Sequence, residues 1–141
     1  MKALIDTGIF VQVLSKERGF QSSFDLLEKI KNKKIEGFIS VMTIAEIISI
    51  FYRVGEGETA AAKASIQSLV GEDRIVPITA ELAESAGRVK AKFKLSLGDA
   101  FIIATAISID CEYLVTLDPE IKRIDNILTK VKSPNELLSL S

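Results

Sequence analysis

Short apolar runs alternate along this chain with longer stretches whose apolar residues recur every three to four positions. Ala3-Leu4-Ile5 is one such run. It is too short for a helix and is closed by Asp6, so it reads as a buried strand. Ile9, Phe10, Val13 and Leu14 then mark one face of a helix, with Asp6 or Thr7 as cap and Gly19 just past the end. A second helix is expected to open at Ser22 or Ser23 and to turn Phe24, Leu26, Leu27 and Ile30 inward. Lys29, Lys31, Lys33 and Lys34 load its end with positive charge, which suits the helix dipole. Gly37-Phe38-Ile39-Ser40-Val41 predicts a second strand. After it, Ile44, Ile47, Ile48 and Phe51 repeat at helical spacing. Thr43-Ile44-Ala45-Glu46 has the form of a capping box, in which Glu46 reaches back to the Thr43 amide.

Gly55-Glu56-Gly57-Glu58 reads as a turn, and Thr59 opens an alanine-rich helix that stops near Gly71. Ile75-Val76-Pro77-Ile78 is a short extended piece whose proline argues for a sheet edge. Thr79 caps a long helix bearing Leu82, Ala86, Val89 and Phe93 inward, with Arg88, Lys90, Lys92 and Lys94 fanned around it. Ser96 then precedes Leu97-Gly98-Asp99, and from Ala100 to Ile109 almost every side chain is apolar or small. A helix with so little polar face is a buried one. Tyr113–Leu117 and Thr129–Val131 predict the last strands, and Ser133-Pro134-Asn135-Glu136 starts a closing helix.

Strands alternating with helices predict an α/β fold: one compact domain over residues 1–141, with a parallel sheet of about four to five strands and helices on both faces. Ligands in such sheets bind beyond the carboxyl ends of the strands.

Composition narrows the chemistry. The chain has 141 residues, one cysteine (Cys111) and no histidine. A disulfide framework within the chain is excluded, as are Ser-His-Asp and Cys-His nucleophilic chemistry and the usual zinc ligand sets. Any metal must be held by oxygen, which points to Mg²⁺, Mn²⁺ or Ca²⁺. Lys2 and the three apolar residues after it are too short for a signal peptide, and no apolar run approaches a membrane span. A cytoplasmic setting without membrane attachment is therefore expected. Net charge is −1, so bulk charge does not advertise a nucleic-acid binder.

The acids carry the remaining signal. Asp6 and Asp118 close strands, Glu46 stands in the first turn of the helix after the second strand, and Asp99 opens the buried helix. Chain direction alone puts Asp6, Glu46 and Asp118 on one edge of a parallel sheet. Asp99 joins them if the long helix from Thr79 returns the chain to that edge. Each acid also has a plainer role as a strand end or helix-start residue. Together they repel one another, and a divalent cation is the natural counterion. Thr7, Ser40 and Thr116 are placed to hold a carboxylate or a water beside them.

Asp6-Thr7 after a short strand, Glu46 within Thr43-Ile44-Ala45-Glu46, Asp99 within Gly98-Asp99-Ala100-Phe101-Ile102-Ile103-Ala104-Thr105-Ala106, and Leu114-Val115-Thr116-Leu117-Asp118 together resemble the PIN-domain family. The nearest likeness is to the VapC-type toxin ribonucleases of prokaryotes. It runs from Lys2 to the Ser133–Leu138 tail. The resemblance implies a PIN-like nuclease domain with Mg²⁺- or Mn²⁺-dependent endoribonuclease activity, an RNA substrate, a protein antitoxin that occludes the site, and a homodimer. It makes Asp6, Glu46, Asp99 and Asp118 the catalytic, metal-binding acids, and matches Thr7 to the Ser or Thr that often follows the first acid. Gly8 departs from the pattern, where many members carry a polar residue.

Two alternatives share the fold: a silent RNA-binding or scaffold module, and an RNA-processing nuclease with no antitoxin. A receiver domain would need adjacent acids after the first strand and an Asp after the third. A haloacid-dehalogenase phosphatase would need a second acid two residues after Asp6. The chain has neither pattern.

Overall fold

A computed structural model describes all 141 residues. The strands are β1 (Lys2–Ile5), β2 (Glu36–Ser40), β3 (Ile75–Val76), β4 (Tyr113–Val115) and β5 (Lys130–Lys132). They form one parallel sheet in the order β3-β2-β1-β4-β5. The first strand of the chain is thus the central one, with Ala3 opposite both Gly37 and Tyr113.

Eight helices cover the sheet: α1 (Thr7–Leu14), α2 (Phe20–Lys31), α3 (Val41–Tyr52), α4 (Glu56–Leu69), α5 (Ala80–Phe93), α6 (Leu97–Ser108), α7 (Pro119–Lys122) and α8 (Pro134–Leu140). Strand side chains alternate between two cores, as a pleated sheet requires. Ala3, Ile5, Ile39, Tyr113 and Val115 face residues from α1 to α4 and α8. Leu4 and Leu114 face the opposite layer, where α6 and α7 supply Ile102, Ile103, Ala106 and Ile121, with Val89 and Phe93 of α5 behind them. Gly37 is what lets α2 lie close to the sheet, since a Cβ there would stand 2.8 Å from the Ile30 side chain. No helix is long and apolar enough to cross a membrane.

The α/β architecture and its parallel sheet follow the alternation in the sequence. Several local expectations do not hold. The α2 helix begins at Phe20 behind Gly19, which sits at φ 79°, and Ser23 lies inside the helix. The Ser23 hydroxyl donates to the Gln12 side chain of α1, so it is a buried tie between helices and not a cap. Phe24 points outward, 40% exposed. The Glu56–Glu58 stretch is the first turn of α4, favoured there by acids at the positive end of the dipole. Helix α3 starts at Val41, immediately after β2, and its cap is Ser40, whose hydroxyl accepts from the Met42 amide at 3.1 Å. Thr43 is therefore inside the helix, and the Thr43–Glu46 capping box does not form. The Ser96 cap of α6 and the full Ser133–Glu136 capping box of α8 form as expected.

Candidate active site

Asp6 closes β1 and caps α1. Its amide continues the sheet by donating to Val115 O at 3.0 Å, while its carboxylate turns away from the sheet. One carboxylate oxygen accepts from the Thr7 amide at 2.8 Å, and the other accepts from the Thr116 hydroxyl at 2.7 Å. Thr116 is fully buried, and its hydroxyl also accepts from the Asp118 amide at 3.0 Å. A single side chain thus joins the end of β1 to the turn after β4. Asp118 in turn caps α7, accepting from the Glu120 amide at 2.9 Å.

Glu46 comes from α3. Its carboxylate accepts from the Thr7 hydroxyl at 2.7 Å, and so is tied to α1 and not to its own helix end. Asp99 arrives by the route the sequence left open. Helices α5 and α6 form an antiparallel pair that returns the chain, so α6 starts at the carboxyl edge of the sheet. The Asp99 amide donates to the Ser96 hydroxyl at 3.2 Å.

All four acids line one open cleft of about 520 Å³, together with Thr7, Gly8 and Glu17. Burial raises the Asp6 carboxyl above its ordinary 3.8. The Thr116 and Thr7 bonds oppose that shift, and the charges of Glu46 and Asp118 add to it. Burial also pushes Asp99 up, to about 6, reinforced by the charge of Asp118 and a hydrogen bond to its carboxyl. Both shifts come first from burial of the charged form and then from neighbouring like charges.

Sequence reasoning missed Glu17, which lies in the loop after α1 and carries no local signal. The cleft is lined by five acids and no Lys or Arg, so the Arg88–Lys94 cluster is not part of it. Ser40, offered as a support for the site, is spent on capping α3.

The family model for the PIN domain matches residues 3–127. The chain belongs to the PIN-domain family. No curated protein matches it in sequence. Among solved structures, this PIN domain is similar to VapBC2 from Rickettsia felis bound to a DNA fragment from its promoter. That match has a TM-score of 0.74 at 20% identity, covering 94% of this chain and 98% of that one. A toxin-antitoxin complex from Klebsiella pneumoniae matches with a TM-score of 0.70 at 24% identity, covering 94% and 97%. FitAcB from Neisseria gonorrhoeae matches with 0.72 at 18%, again covering 94% and 97%. At these identities the likeness concerns the fold of the PIN domain.

The donor set fits a hard divalent cation. It is all oxygen, it is anionic, and two of its members are held above their ordinary pKa by burial and by the neighbouring acids. No three of the acids are drawn tightly enough to enclose an ion by themselves. An ion in this cleft would therefore take only part of its shell from the carboxylates and keep waters for the rest.

Proposed function

We propose that this PIN domain is a Mg²⁺- or Mn²⁺-dependent endoribonuclease and the toxin of a toxin–antitoxin pair. The observation that carries the reading is the convergence of Asp6, Glu46, Asp99 and Asp118 on one cleft that holds no basic side chain. An RNA phosphate would be repelled by that cleft unless a cation stood between them. Asp6, Glu46, Asp99 and Asp118 are the proposed metal-binding and catalytic acids, with Thr7 and Thr116 holding Glu46 and Asp6 in place. When bound, the ion lowers the pKa of water and offsets charge gathering on the phosphodiester.

The chain's own part is largely positional. Thr116 and the Thr7 amide fix both oxygens of Asp6, which leaves that carboxylate little rotational freedom. Asp99 rides on a helix whose next turns are buried in the core, so its backbone is rigid. Its carboxyl, held near 6, releases its proton close to neutral pH, and an incoming cation favours that release.

An antitoxin partner is supported by the fold likeness to toxin-antitoxin complexes and by apolar residues left uncovered around α3, with Ile50 41%, Tyr52 64% and Val54 67% exposed. A homodimer and a cytoplasmic setting complete the reading. The test is cleavage of RNA by the parent chain and by Asp6→Asn and Glu46→Gln variants, with Mg²⁺ or Mn²⁺ and after chelation. Cleavage that survives both substitutions, or that ignores chelation, refutes it. A short reading frame for a DNA-binding protein directly upstream separates the toxin reading from RNA processing.

A further inference from the structure

We propose that Thr43 is a positioning residue that orients Glu46 through the Thr7 hydroxyl, forming a one-way hydrogen-bond relay from the interior of α3 to the cleft. The inference rests on the site reading above and adds a residue to it. The two threonine oxygens lie 2.9 Å apart, and Thr7 Oγ1 lies 2.7 Å from Glu46 Oε1. Thr43 is fully buried and Thr7 is 7% exposed.

The direction of the relay follows from counting protons. A threonine hydroxyl has one proton to give, and an ionised carboxylate only accepts. Thr7 spends its proton on Glu46, so it can only accept from Thr43. Thr43 must therefore be the donor. A threonine in the middle of a helix can turn its hydroxyl back onto the carbonyl one turn earlier, an option that Thr43, in the first turn of α3, lacks within its own helix. Thr105 turns back in this way, donating to Phe101 O at 2.6 Å. Thr43 instead donates across to α1, and Thr7 is its one side-chain partner.

The relay does mechanical work for the site. Glu46 is an exposed residue on a long flexible side chain, and the Thr7 bond is what holds it toward Asp6. A donor that is itself polarised by a second donor makes a stronger bond. The buried Thr43 also fixes the rotamer of Thr7, so the Glu46 carboxylate is located from inside the core. The same two residues that the sequence joined as a capping box are thus joined through a third side chain from another helix.

The experiment measures Mn²⁺ affinity by calorimetry, without RNA, alongside thermal melting. Thr43→Val removes the hydroxyl at constant shape, Thr43→Ala removes it without adding a methyl against Thr7, and Thr43→Ser keeps it. Both hydroxyl-free variants should weaken Mn²⁺ binding by about three- to tenfold, less than the 10–100-fold typical when a direct partner of a metal ligand is lost. Thr43→Ser should bind as the parent does. In a Glu46→Ala background, Thr43→Val should weaken binding no further, because the relay has lost its end point. Parent-like affinity in both hydroxyl-free variants overturns the proposal, whatever happens to their melting temperature. So does a loss in Thr43→Ser equal to that in Thr43→Val, or a full additional loss in the Glu46→Ala background. If the parent chain itself binds no Mn²⁺, the site reading fails and the relay falls with it. Normal binding by the parent and by both hydroxyl-free variants sinks the relay alone.

Discussion

Replacing Thr116 by valine keeps the shape of the side chain and deletes the one hydroxyl that joins the end of β1 to the turn after β4. Two bonds are lost. One is the 2.7 Å donation to the Asp6 carboxylate, and the other is the 3.0 Å acceptance from the Asp118 amide. A hydrogen bond to a charged group is worth about 1.5–3 kcal/mol, and an amide left without a partner costs about 1–3 kcal/mol. The added methyl returns about 0.8 kcal/mol by burial. At neutral pH the net loss comes to about 2–5 kcal/mol, which for a chain of this length is a fall in Tm of roughly 6–20 °C. The loss should depend on pH, and its sign is fixed. Burial holds Asp6 above 3.8 when folded, and Thr116 opposes that shift. Removing Thr116 raises the folded pKa further. A raised folded pKa in an acid means stability that is present at low pH and lost as pH rises through that pKa. The deficit of Thr116→Val is therefore larger at neutral pH and shrinks toward acid, as Asp6 takes up its proton and the lost bond becomes one between neutral groups. Thermal or urea melts of parent, Thr116→Val and Thr116→Ser at neutral and acid pH measure this. Co-melting of parent and Thr116→Val at neutral pH, or a deficit that grows toward acid, refutes the reasoning.

Asp99→Asn should do opposite things to stability and to function. In metal-free protein the folded carboxyl near 6 costs stability as pH rises from 3.8 past that value, so the amide variant should melt higher than the parent at neutral pH, converge with it in acid, and cleave no RNA. A metal-free variant that melts lower at neutral pH contradicts this. Gly8→Ala places a Cβ where nothing lies within 4 Å. It should stabilise α1 by up to about 1 kcal/mol, read as a raised urea midpoint at unchanged slope, and a lowered midpoint would show that position 8 meets something the cleft geometry does not reveal.

The sheet was legible because its strands are short apolar runs set between helical periodicities, and β1, β2 and β4 fall within two residues of their expected limits. Asp6 and Asp118 were legible because they end such runs, and Glu46 and Asp99 because they stand near the starts of helices with clear apolar periodicity. What the sequence left ambiguous was local competition between equivalent polar groups. Ser40 and Thr43 both suit a helix cap, and the absence of any spacer between β2 and α3 gives the cap to Ser40. Ser23 looked like a helix start because nothing local reveals that Gln12 waits for it across α1 and α2. Whether Asp99 reached the site depended on the α5–α6 pairing, a tertiary fact. Glu17 in the cleft is tertiary as well, brought there by a loop that carries no periodicity to read.

The central position of β1 sets the moment during synthesis at which the cleft can first assemble. Asp6 is synthesised well before its partner Thr116, which lies 110 positions later. The strand it ends must be flanked by β4 as well as β2 before the carboxylates can gather. At about 5–20 residues per second, a ribosome takes on the order of ten seconds between the two. Parallel pairings of such long range also form slowly once the chain is free. No fragment that stops before the turn after β4 can assemble the cleft. Under the proposed activity, the nascent chain stays harmless beside the ribosome's own RNA until the turn after β4 has been made, which leaves time for an inhibitor made in advance to be at hand.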